Sequence, residues 1–238
     1  MIDDRRGAQL VAALGSVRAR LADACIAVGR DTRDVTLVAV TKTYPASDVA
    51  TLQELGVLDV GESRDQEAKG KVAELGSSAQ AGVLRWHFVG RVQTNKAASI
   101  AGYAHAVHSI DRLDAVAAFA KAVVERATPL EAFVQVSLDG DPARAGAVGG
   151  EVLRVAEAVA AAPNLLLRGV MAVPPIAADP EAAFARLAEI SASVRAEHPE
   201  AVAISGGMSA DLEQAVRHGA THVRVGTALL GRREPTFS

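Results

Sequence analysis

Cysteine and aromatic residues are scarce in this sequence: there is one cysteine, Cys25, and aromatic side chains make up 3% of the chain. A single cysteine excludes a disulfide within the chain and argues against a zinc site built on cysteines. Cys25 lies in a segment with helical apolar spacing, so we expect it to be a small core residue. No apolar run is long enough to span a membrane, and the N-terminus is charged without an apolar signal segment. These absences predict a cytoplasmic protein with no membrane partner.

Long runs of one charge sign are also lacking. The 25 basic and 28 acidic residues are dispersed along the chain, for a net charge of -3. Nucleic acid is therefore an improbable partner, because binding to a phosphate backbone uses clustered positive charge. With 238 residues and 50% hydrophobic composition, the chain can form a large core, which excludes a disordered protein.

Short apolar segments alternate with helical ones along the chain. After an amphipathic helix that ends near Gly29, the apolar pattern predicts strands at 35–40, 58–60, 84–89, 104–108, 130–136, 165–171, 201–204 and 222–225. Between them, the spacing predicts helices at 47–55, 66–75, 113–126, 151–161, 180–197 and 210–218. This alternation is typical of a parallel sheet, and eight strands favour closure. We therefore expect a single-domain (β/α)8 TIM barrel over 1–238 with an additional N-terminal helix; an open doubly wound sheet is the alternative.

Two basic residues close the first and last predicted strands. Lys42 follows the first strand and Arg224 lies in the eighth. In a closed barrel these strands are neighbours, so both side chains would meet at the same rim. A lysine that points inward at the end of a strand would be partly buried, and burial leaves more free amine to attack a carbonyl. A rim lysine that stays in water is the alternative.

The loops after the seventh and eighth predicted strands carry small and hydroxyl residues. Ser205, Gly206, Gly207, Met208 and Ser209 precede the helix predicted to begin at 210, while Gly226 and Thr227 follow the last strand. Glycines allow close approach of an anion to the backbone, and a serine hydroxyl can donate to a phosphate or cap the helix. In TIM barrels these two loops often build a phosphate site. A glycine turn with a serine cap is the alternative interpretation of the first loop.

Seven ordered segments resemble successive motifs of the YggS/PROSC family of pyridoxal phosphate homeostasis proteins. They are 38–43, 60–67, 86–96, 107–112, 169–175, 205–211 and 223–231. The resemblance runs in order over nearly the whole chain, which makes it far more specific than any single glycine pattern. It implies a barrel related to the N-terminal domain of alanine racemase.

The resemblance also implies a cofactor site. Pyridoxal 5'-phosphate would be held as a Schiff base on Lys42, with its phosphate on Ser209, Gly226 and Thr227 and with Arg224 facing the pyridine nitrogen. We assign three further residues to the cofactor-binding set, and these are Val40, Met171 and Gly207. The sequence departs from the family pattern at Ser63 and Arg64, beside the predicted Lys42 loop.

The expected activity is cofactor buffering or delivery without robust catalysis. An arginine cannot take a proton from the ring nitrogen, and an unprotonated ring is a poorer electron sink. A racemase needs a second acid-base group, which a tyrosine from a C-terminal β-domain supplies in alanine racemases, and we expect no such domain here. Tyr44 is more simply a packed rim aromatic. We expect a monomer whose partners are pyridoxal phosphate and apo-enzymes that use it.

Two other functions stay open. A pyridoxal-dependent racemase or related enzyme is the first alternative. The second is a phosphate-metabolite enzyme in which Lys42 would form an aldolase-type Schiff base. His105 and His108 fall on opposite strand faces, so no joint metal site is expected; His108 and His222 are assigned core or hydrogen-bonded roles, and His87 has no assigned role.

Overall fold

Eight parallel strands close into a barrel in the computed structural model, which describes residues 4–76, 84–141 and 143–231. The strands are β1 Thr36–Val40, β2 Asp59–Glu62, β3 Arg85–Phe88, β4 Ala106–Ile110, β5 Leu130–Val136, β6 Leu165–Ala172, β7 Ala203–Ser205 and β8 His222–Val225. They follow one another round the barrel in chain order, and β1 closes it by pairing with β8. The predicted TIM barrel is confirmed and the doubly wound alternative was wrong. Both ends of the predicted domain 1–238 lie outside the described residues.

Helices surround this barrel. They are α1 Asp4–Ala27, α2 Ala46–Glu54, α3 Asp65–Leu75, α4 Ala97–Ala101, α5 Leu113–Ala122, α6 Glu151–Ala161, α7 Pro180–Glu197, α8 Leu212–Arg217 and α9 Thr227–Leu230. The N-terminal helix and the six predicted helices between strands are confirmed, with shifted ends at several of them. The two short helices α4 and α9 were not predicted, because one turn of helix is too short to show an apolar period. Helix α8 begins two residues later than predicted.

The additional helix α1 packs against the last unit of the barrel. Leu10, Leu14 and Leu21 are buried on one helix face and share an apolar cluster with Val223 and Val225 of β8. Cys25 is fully buried in the same cluster, which confirms its predicted core role. Burial of this stripe, at about 1.5–3 kcal/mol for each large apolar side chain, holds α1 on the barrel.

Charged residues of α1 also hold the loops that follow β7 and β8. Arg20 pairs with Glu213 through two contacts of 2.7 and 2.9 Å, and its Nη1 donates to the Ser209 carbonyl at 3.0 Å. Near the start of α1, Arg6 pairs with Asp48, and its Nη2 donates to the Leu230 carbonyl at 3.2 Å. The N-terminal helix therefore braces the rim where β7 and β8 end.

The barrel interior is partly polar. On β8 the apolar residues Val223 and Val225 face the surrounding helices, so strand alternation turns His222 and Arg224 inward. His222 lies with its ring centroid 5.1 Å from that of Phe133, which packs with Met171 in an interior cluster. Buried polar groups of this kind need hydrogen-bond partners, and those partners fix the orientation of the inward-facing side chains of β8.

Candidate functional site

Three segments meet at the carboxyl-terminal rim of the barrel. These are the segment after β1, the loop after β7 and the turn after β8. A Cβ placed on Gly226 would lie 3.4 Å from the Val40 carbonyl oxygen, so the turn after β8 lies against the end of β1. The Ser209 hydroxyl accepts a hydrogen bond of 3.0 Å from the Ala228 backbone N–H, which joins the loop after β7 to the first turn of α9. The structure therefore brings together the three segments that the sequence predicted to form the site.

Lys42 lies two residues beyond the end of β1, and its side chain is exposed. Of the two possibilities that the sequence left open, this exposure agrees with a rim lysine in contact with water. The strand ends at Val40, and the chain then leaves the sheet in a turn with Thr43 at a φ of 69°. A positive φ is uncommon for a residue with a side chain, so this turn needs support from its surroundings.

That support comes from an ion cluster formed by the buried Glu62 and Lys71 and the half-buried Glu67. The Lys71 ammonium contacts Glu62 at 2.6 Å and Glu67 at 2.8 Å, and it donates to the Thr41 carbonyl at 2.7 Å. The Thr41 hydroxyl donates to Glu62 at 2.7 Å, and the Thr43 backbone N–H donates to Glu67. Both residues that flank Lys42 in sequence are thus fixed by the same cluster, which the sequence analysis did not predict.

The two carboxylates of the cluster differ in environment. Burial raises the pKa of Glu62 and outweighs its hydrogen bonds from Lys71 and Thr41. Burial also acts on Glu67, but hydrogen bonds from Lys71 and from the Thr43 backbone outweigh it and lower its pKa. The carboxylate that holds Thr43 is therefore the one that stays ionised more readily.

The loop after β7 depends on Gly207. This residue has a φ of 89°, and a Cβ added to it would lie 2.6 Å from the Cβ of Ala215. Its carbonyl accepts a 2.8 Å hydrogen bond from the Arg224 backbone N–H. Glycine is required here because both the backbone conformation and the close approach of α8 exclude a side chain.

Ser209 does not cap α8, the helix that follows it in sequence. The helix α8 begins at Leu212, and it is the Asp211 carboxylate that accepts from the Met208 backbone N–H at 2.6 Å. The half-buried Ser209 hydroxyl bonds instead to Ala228. The serine-cap interpretation was therefore wrong, because the chain makes a further turn between Ser209 and the helix.

The turn after β8 presents small and polar groups to the rim. Gly226 is half-buried, Thr227 is exposed at the start of α9, and Val40 is half-buried beside them. Met171 lies deeper: it is 2% exposed and packs with Phe133 inside the barrel. Of the predicted cofactor residues, Val40, Gly226 and Thr227 therefore lie at the rim, and Met171 lies in the barrel interior.

Arg224 is the buried cation of the site. Its Nη1 donates to the Ser205 hydroxyl at 2.5 Å, and its Nη2 donates to the Ala172 carbonyl at 2.9 Å. Burial lowers the pKa of Arg224 to about 10, with partial compensation from Asp211. The guanidinium therefore keeps its charge at neutral pH, and two hydrogen bonds fix its orientation.

A row of hydrogen-bonded side chains lies inside the barrel next to Arg224. The Ser205 hydroxyl contacts His108 Nδ1 at 2.8 Å, His108 Nε2 contacts His87 Nδ1 at 2.9 Å, and His87 Nε2 contacts Asp59 at 2.9 Å. Burial holds the pKa of His108 well below its usual value. Burial of Asp59 opposes ionisation, but hydrogen bonds from His87 and Arg85 outweigh it and lower its pKa to about 2.

Two of the interior histidines had predicted roles. His108 and His222 are buried and hydrogen-bonded, which confirms the roles assigned to them. His87 had no predicted role, yet it joins His108 to Asp59. Alternation along each strand could have indicated that Asp59, His87 and His108 point inward, but not that they lie in contact.

Tyr44 is held at the rim by contacts away from the barrel axis. Its hydroxyl donates to the Gly231 carbonyl at 2.6 Å, and the Arg6 guanidinium lies 5.6 Å from its ring centroid. These contacts agree with the predicted role of a packed rim aromatic.

Residues 4–76, 84–141 and 143–231 contain no cluster of three or more His, Cys, Asp or Glu side chains arranged to hold a metal ion. Within the same part of the chain, no helix combines the length and apolar character needed to cross a membrane.

Comparison with known proteins places this geometry in a family. The family model "Alanine racemase, N-terminal domain" matches residues 18–234. A pyridoxal phosphate homeostasis protein of Mycobacterium bovis is 46% identical, and the alignment covers 96% of this chain and 94% of the relative. The pyridoxal phosphate homeostasis protein of Escherichia coli K12 is 33% identical, with coverage of 93% and 95%.

A solved structure agrees with these relatives. PipY of Synechococcus elongatus PCC7942, determined with PLP bound, superposes with a TM-score of 0.78 at 28% identity and covers 89% of this chain and 100% of its own. The chain thus shares the barrel with PipY and is similar to the two homeostasis proteins over nearly their full length. It belongs to the family of pyridoxal phosphate homeostasis proteins.

Proposed function

We propose that this protein binds pyridoxal 5'-phosphate covalently at Lys42 and serves to buffer or deliver the cofactor, without robust catalysis. The observation that carries the proposal is the meeting of the Lys42 segment, the Ser209 loop and the Gly226 turn at one rim. The bound PLP in the PipY structure supports the same cofactor for this chain.

The residues at the rim fit the proposed cofactor. Glycine at 226 leaves open a narrow space beside Val40, where a Cβ would come within 3.6 Å of the Val40 Cβ. Ser209 and Thr227 offer hydroxyl groups beside this space, and hydroxyl and backbone N–H donors suit a phosphate. The buried, charged Arg224 suits an unprotonated ring nitrogen, which accepts a hydrogen bond.

Exposure of Lys42 fits a carrier. Bound pyridoxal phosphate supplies an aldehyde for attachment to an amine and a ring that can accept electrons. The exposed Lys42 amine can be reached from solvent, while the Glu62, Glu67 and Lys71 cluster keeps the backbone around it fixed. A carrier must both load and release its cargo, so an accessible amine on a rigid turn suits that role.

Two side chains favour weak catalysis. Arg224 stays charged and is held by Ser205 and Ala172, so it does not take up a proton. Tyr44 donates its hydroxyl to the Gly231 carbonyl and is not positioned as a second acid-base group. We therefore rank a racemase below a carrier, and we propose that apo-enzymes receive the cofactor. A monomeric state and a cytoplasmic location stay predictions.

Attachment at Lys42 can be tested by reduction and mass analysis. Protein incubated with pyridoxal phosphate and then borohydride is digested, and the phosphopyridoxyl group is expected on the peptide that contains Lys42. Lys42→Ala should abolish this label, whereas Lys96→Ala, another lysine near the rim, should keep it. Equal labelling of Lys42→Ala and the parent would refute the assignment.

A second assay separates carrier from enzyme. Loaded protein is mixed with alanine or serine, and with an apo-enzyme whose activity reports cofactor transfer. We expect transfer of the cofactor and little interconversion of the amino-acid enantiomers. Turnover on the order of one per second or faster without transfer would favour the racemase instead.

A further inference from the structure

A continuous hydrogen-bonded row, here called the interior chain, joins Arg224, Ser205, His108, His87 and Asp59. Its four contacts measure 2.5, 2.8, 2.9 and 2.9 Å. The interior chain runs from a side chain on β8 to one on β7, crosses the barrel to β4, and continues through side chains on β3 and β2. Ser205 and His108 are fully buried, and the His108 ring stacks on Phe133 with centroids 4.3 Å apart. Packing thus holds Ser205 and His108 in place.

The direction of these hydrogen bonds can be derived from the Arg224 end. A guanidinium has no acceptor, so Arg224 donates and the Ser205 oxygen accepts. The Ser205 hydroxyl hydrogen then has an acceptor in His108 Nδ1. A neutral imidazole that accepts at Nδ1 carries its hydrogen at Nε2, so His108 donates to His87 Nδ1.

The opposite end requires the same direction. With its Nδ1 accepting, His87 carries a hydrogen at Nε2 and donates it to Asp59. The Asp59 carboxylate also receives Arg85 at 2.7 and 2.5 Å, as expected of an ionised acid that only accepts. Every bond therefore points from the cation at Arg224 to the anion at Asp59, and the charges at the two ends polarise the chain in one sense.

Reversing one histidine would leave buried groups unpaired. If His108 carried its hydrogen at Nδ1, the Ser205 oxygen could accept from both His108 and Arg224, but the Ser205 hydroxyl hydrogen would lose its acceptor. The lone pair of His108 Nε2 would then face that of His87 Nδ1. A buried polar group without a partner costs about 1–3 kcal/mol. The tautomer of His108 with hydrogen on Nδ1 is thus disfavoured at its contacts with both Ser205 and His87.

We propose that the interior chain is a positioning device: Ser205, His108 and His87 hold the Arg224 guanidinium in place for the ring nitrogen of the cofactor. This rests on the proposed function, because it needs Arg224 to face that nitrogen. The far end of the chain opens on a polar cavity of about 430 Å³ at the opposite mouth of the barrel, lined by Asp59, Arg85 and His222. Residues far from the cofactor would therefore influence how strongly Arg224 discriminates between a ring nitrogen and a C–H group at that position.

The histidine tautomers provide the first test, and they need no cofactor. Nitrogen-15 NMR of the protein at pH 7.5 should show His87 and His108 both with hydrogen on Nε2. Asp59→Asn, which removes the anion but keeps the shape, should relax that preference at His87. Opposite tautomers at His87 and His108 in the parent would overturn the proposal.

The second test measures recognition of the ring nitrogen. Binding of pyridoxal phosphate is compared with that of deazapyridoxal phosphate, in which C–H replaces the ring nitrogen. The parent should prefer the natural cofactor by about tenfold, the value of one oriented hydrogen bond of about 1.4 kcal/mol. Ser205→Ala and His108→Gln should each reduce this ratio several-fold while the reducible label at Lys42 remains.

Controls keep these results separate from general damage. His105→Gln changes a histidine in the same mouth but outside the interior chain, and it should leave the ratio unchanged. The double variant of Ser205→Ala and His108→Gln should lower the ratio little more than either single change, because both break one chain. Unchanged ratios in folded single variants, or no preference in the parent, would overturn the proposal. Failure of the parent to bind pyridoxal phosphate would instead refute the proposed function. The histidine tautomers would still test the direction of the hydrogen bonds in the interior chain.

Discussion

The Ser209 hydroxyl accepts a 3.0 Å hydrogen bond from the backbone N–H of Ala228, so the loop after β7 and the turn after β8 form one unit at the rim. Arg20 of α1 holds the same loop through the Ser209 carbonyl. The proposed phosphate site is thus built from two loops and braced by a helix outside the repeating pattern.

Ser209→Ala should weaken binding of pyridoxal phosphate. Loss of one hydrogen bond to a charged phosphate costs about 1.5–3 kcal/mol, which corresponds to roughly a tenfold to hundredfold lower affinity. Pyridoxal without its phosphate should bind the variant and the parent alike, as measured by absorbance titration. Ser193→Ala, on the surface of α7, serves as the control. A phosphate site elsewhere would be indicated if Ser209→Ala kept its full preference for the phosphorylated ligand.

Arg20→Met should weaken the same site indirectly. The change removes the Nη1 bond to the Ser209 carbonyl and the pair with Glu213, while it keeps much of the apolar stem. We expect a several-fold lower affinity for pyridoxal phosphate with a small loss of stability, since half-exposed ion pairs contribute about 1 kcal/mol or less. Arg18→Met on the same helix is the control, because Arg18 contacts Leu55 instead. Equal affinities of the two variants would show that the brace is unimportant.

Lys71→Met should destabilise the protein strongly. It leaves Glu62 buried without its cation and frees the Thr41 carbonyl, a kind of change that costs about 3–5 kcal/mol. Urea denaturation measures the effect, and the matched control is Lys69→Met, an exposed lysine on the same helix. Adding Glu62→Gln to Lys71→Met should restore part of the loss, because it removes the unpaired charge. A loss below about 1 kcal/mol for Lys71→Met would contradict this account of the cluster.

Acid should destabilise the barrel through His222. Burial, with a further contribution from His87, lowers the pKa of His222 to about 3, whereas an unfolded histidine titrates near 6.5. Between these values the unfolded chain binds a proton that the folded chain does not, so stability falls as pH falls. Through His222 the stability falls by about 1.4 kcal/mol for each pH unit from about pH 6.5 down to about pH 3, and this contribution to the pH dependence is absent well above pH 6.5.

His222→Gln should remove that contribution from the pH dependence. Urea denaturation of both proteins at several pH values between about 6.5 and 4 should show a shallower decline for the variant. Above about pH 7.5 the two proteins should show the same flat dependence, which serves as the internal control. Parallel declines between pH 6.5 and 4 would mean that His222 is not the group that takes up the proton.

The barrel could be predicted because its evidence is repeated eight times along the chain. Each strand has its own apolar segment, and helices such as α6 and α7 were predicted with their observed ends. Lys42, Ser209 and Gly226 could be placed together because closure makes β1 and β8 neighbours. Local details at the same residues could not be predicted, because the exposure of Lys42 and the extra turn after Ser209 depend on where the chain leaves the sheet.

The interior contacts could not be predicted from the sequence. His108 and Ser205 are 97 positions apart and touch only because β4 and β7 face each other across the closed barrel. Nothing in the sequence distinguishes Lys71 from a surface lysine on a helix, yet it is buried between Glu62 and the Thr41 carbonyl. Such contacts depend on strand register and barrel diameter, which composition and periodicity do not determine.

The docking of α1 on the last barrel unit has a consequence for chain synthesis. Arg20 and Glu213 are 193 positions apart, so α1 stays without this partner until almost all of the described chain has left the ribosome. Lys42 is likewise made long before Ser209 and Arg224. The contacts between α1 and the last barrel unit close a very long loop and can form only after the last unit has been made. We therefore expect late and cooperative assembly. If Lys42 binds the cofactor as proposed, a growing chain would present this lysine before the residues proposed to hold the phosphate exist, and we expect tight binding of pyridoxal phosphate only once folding is complete.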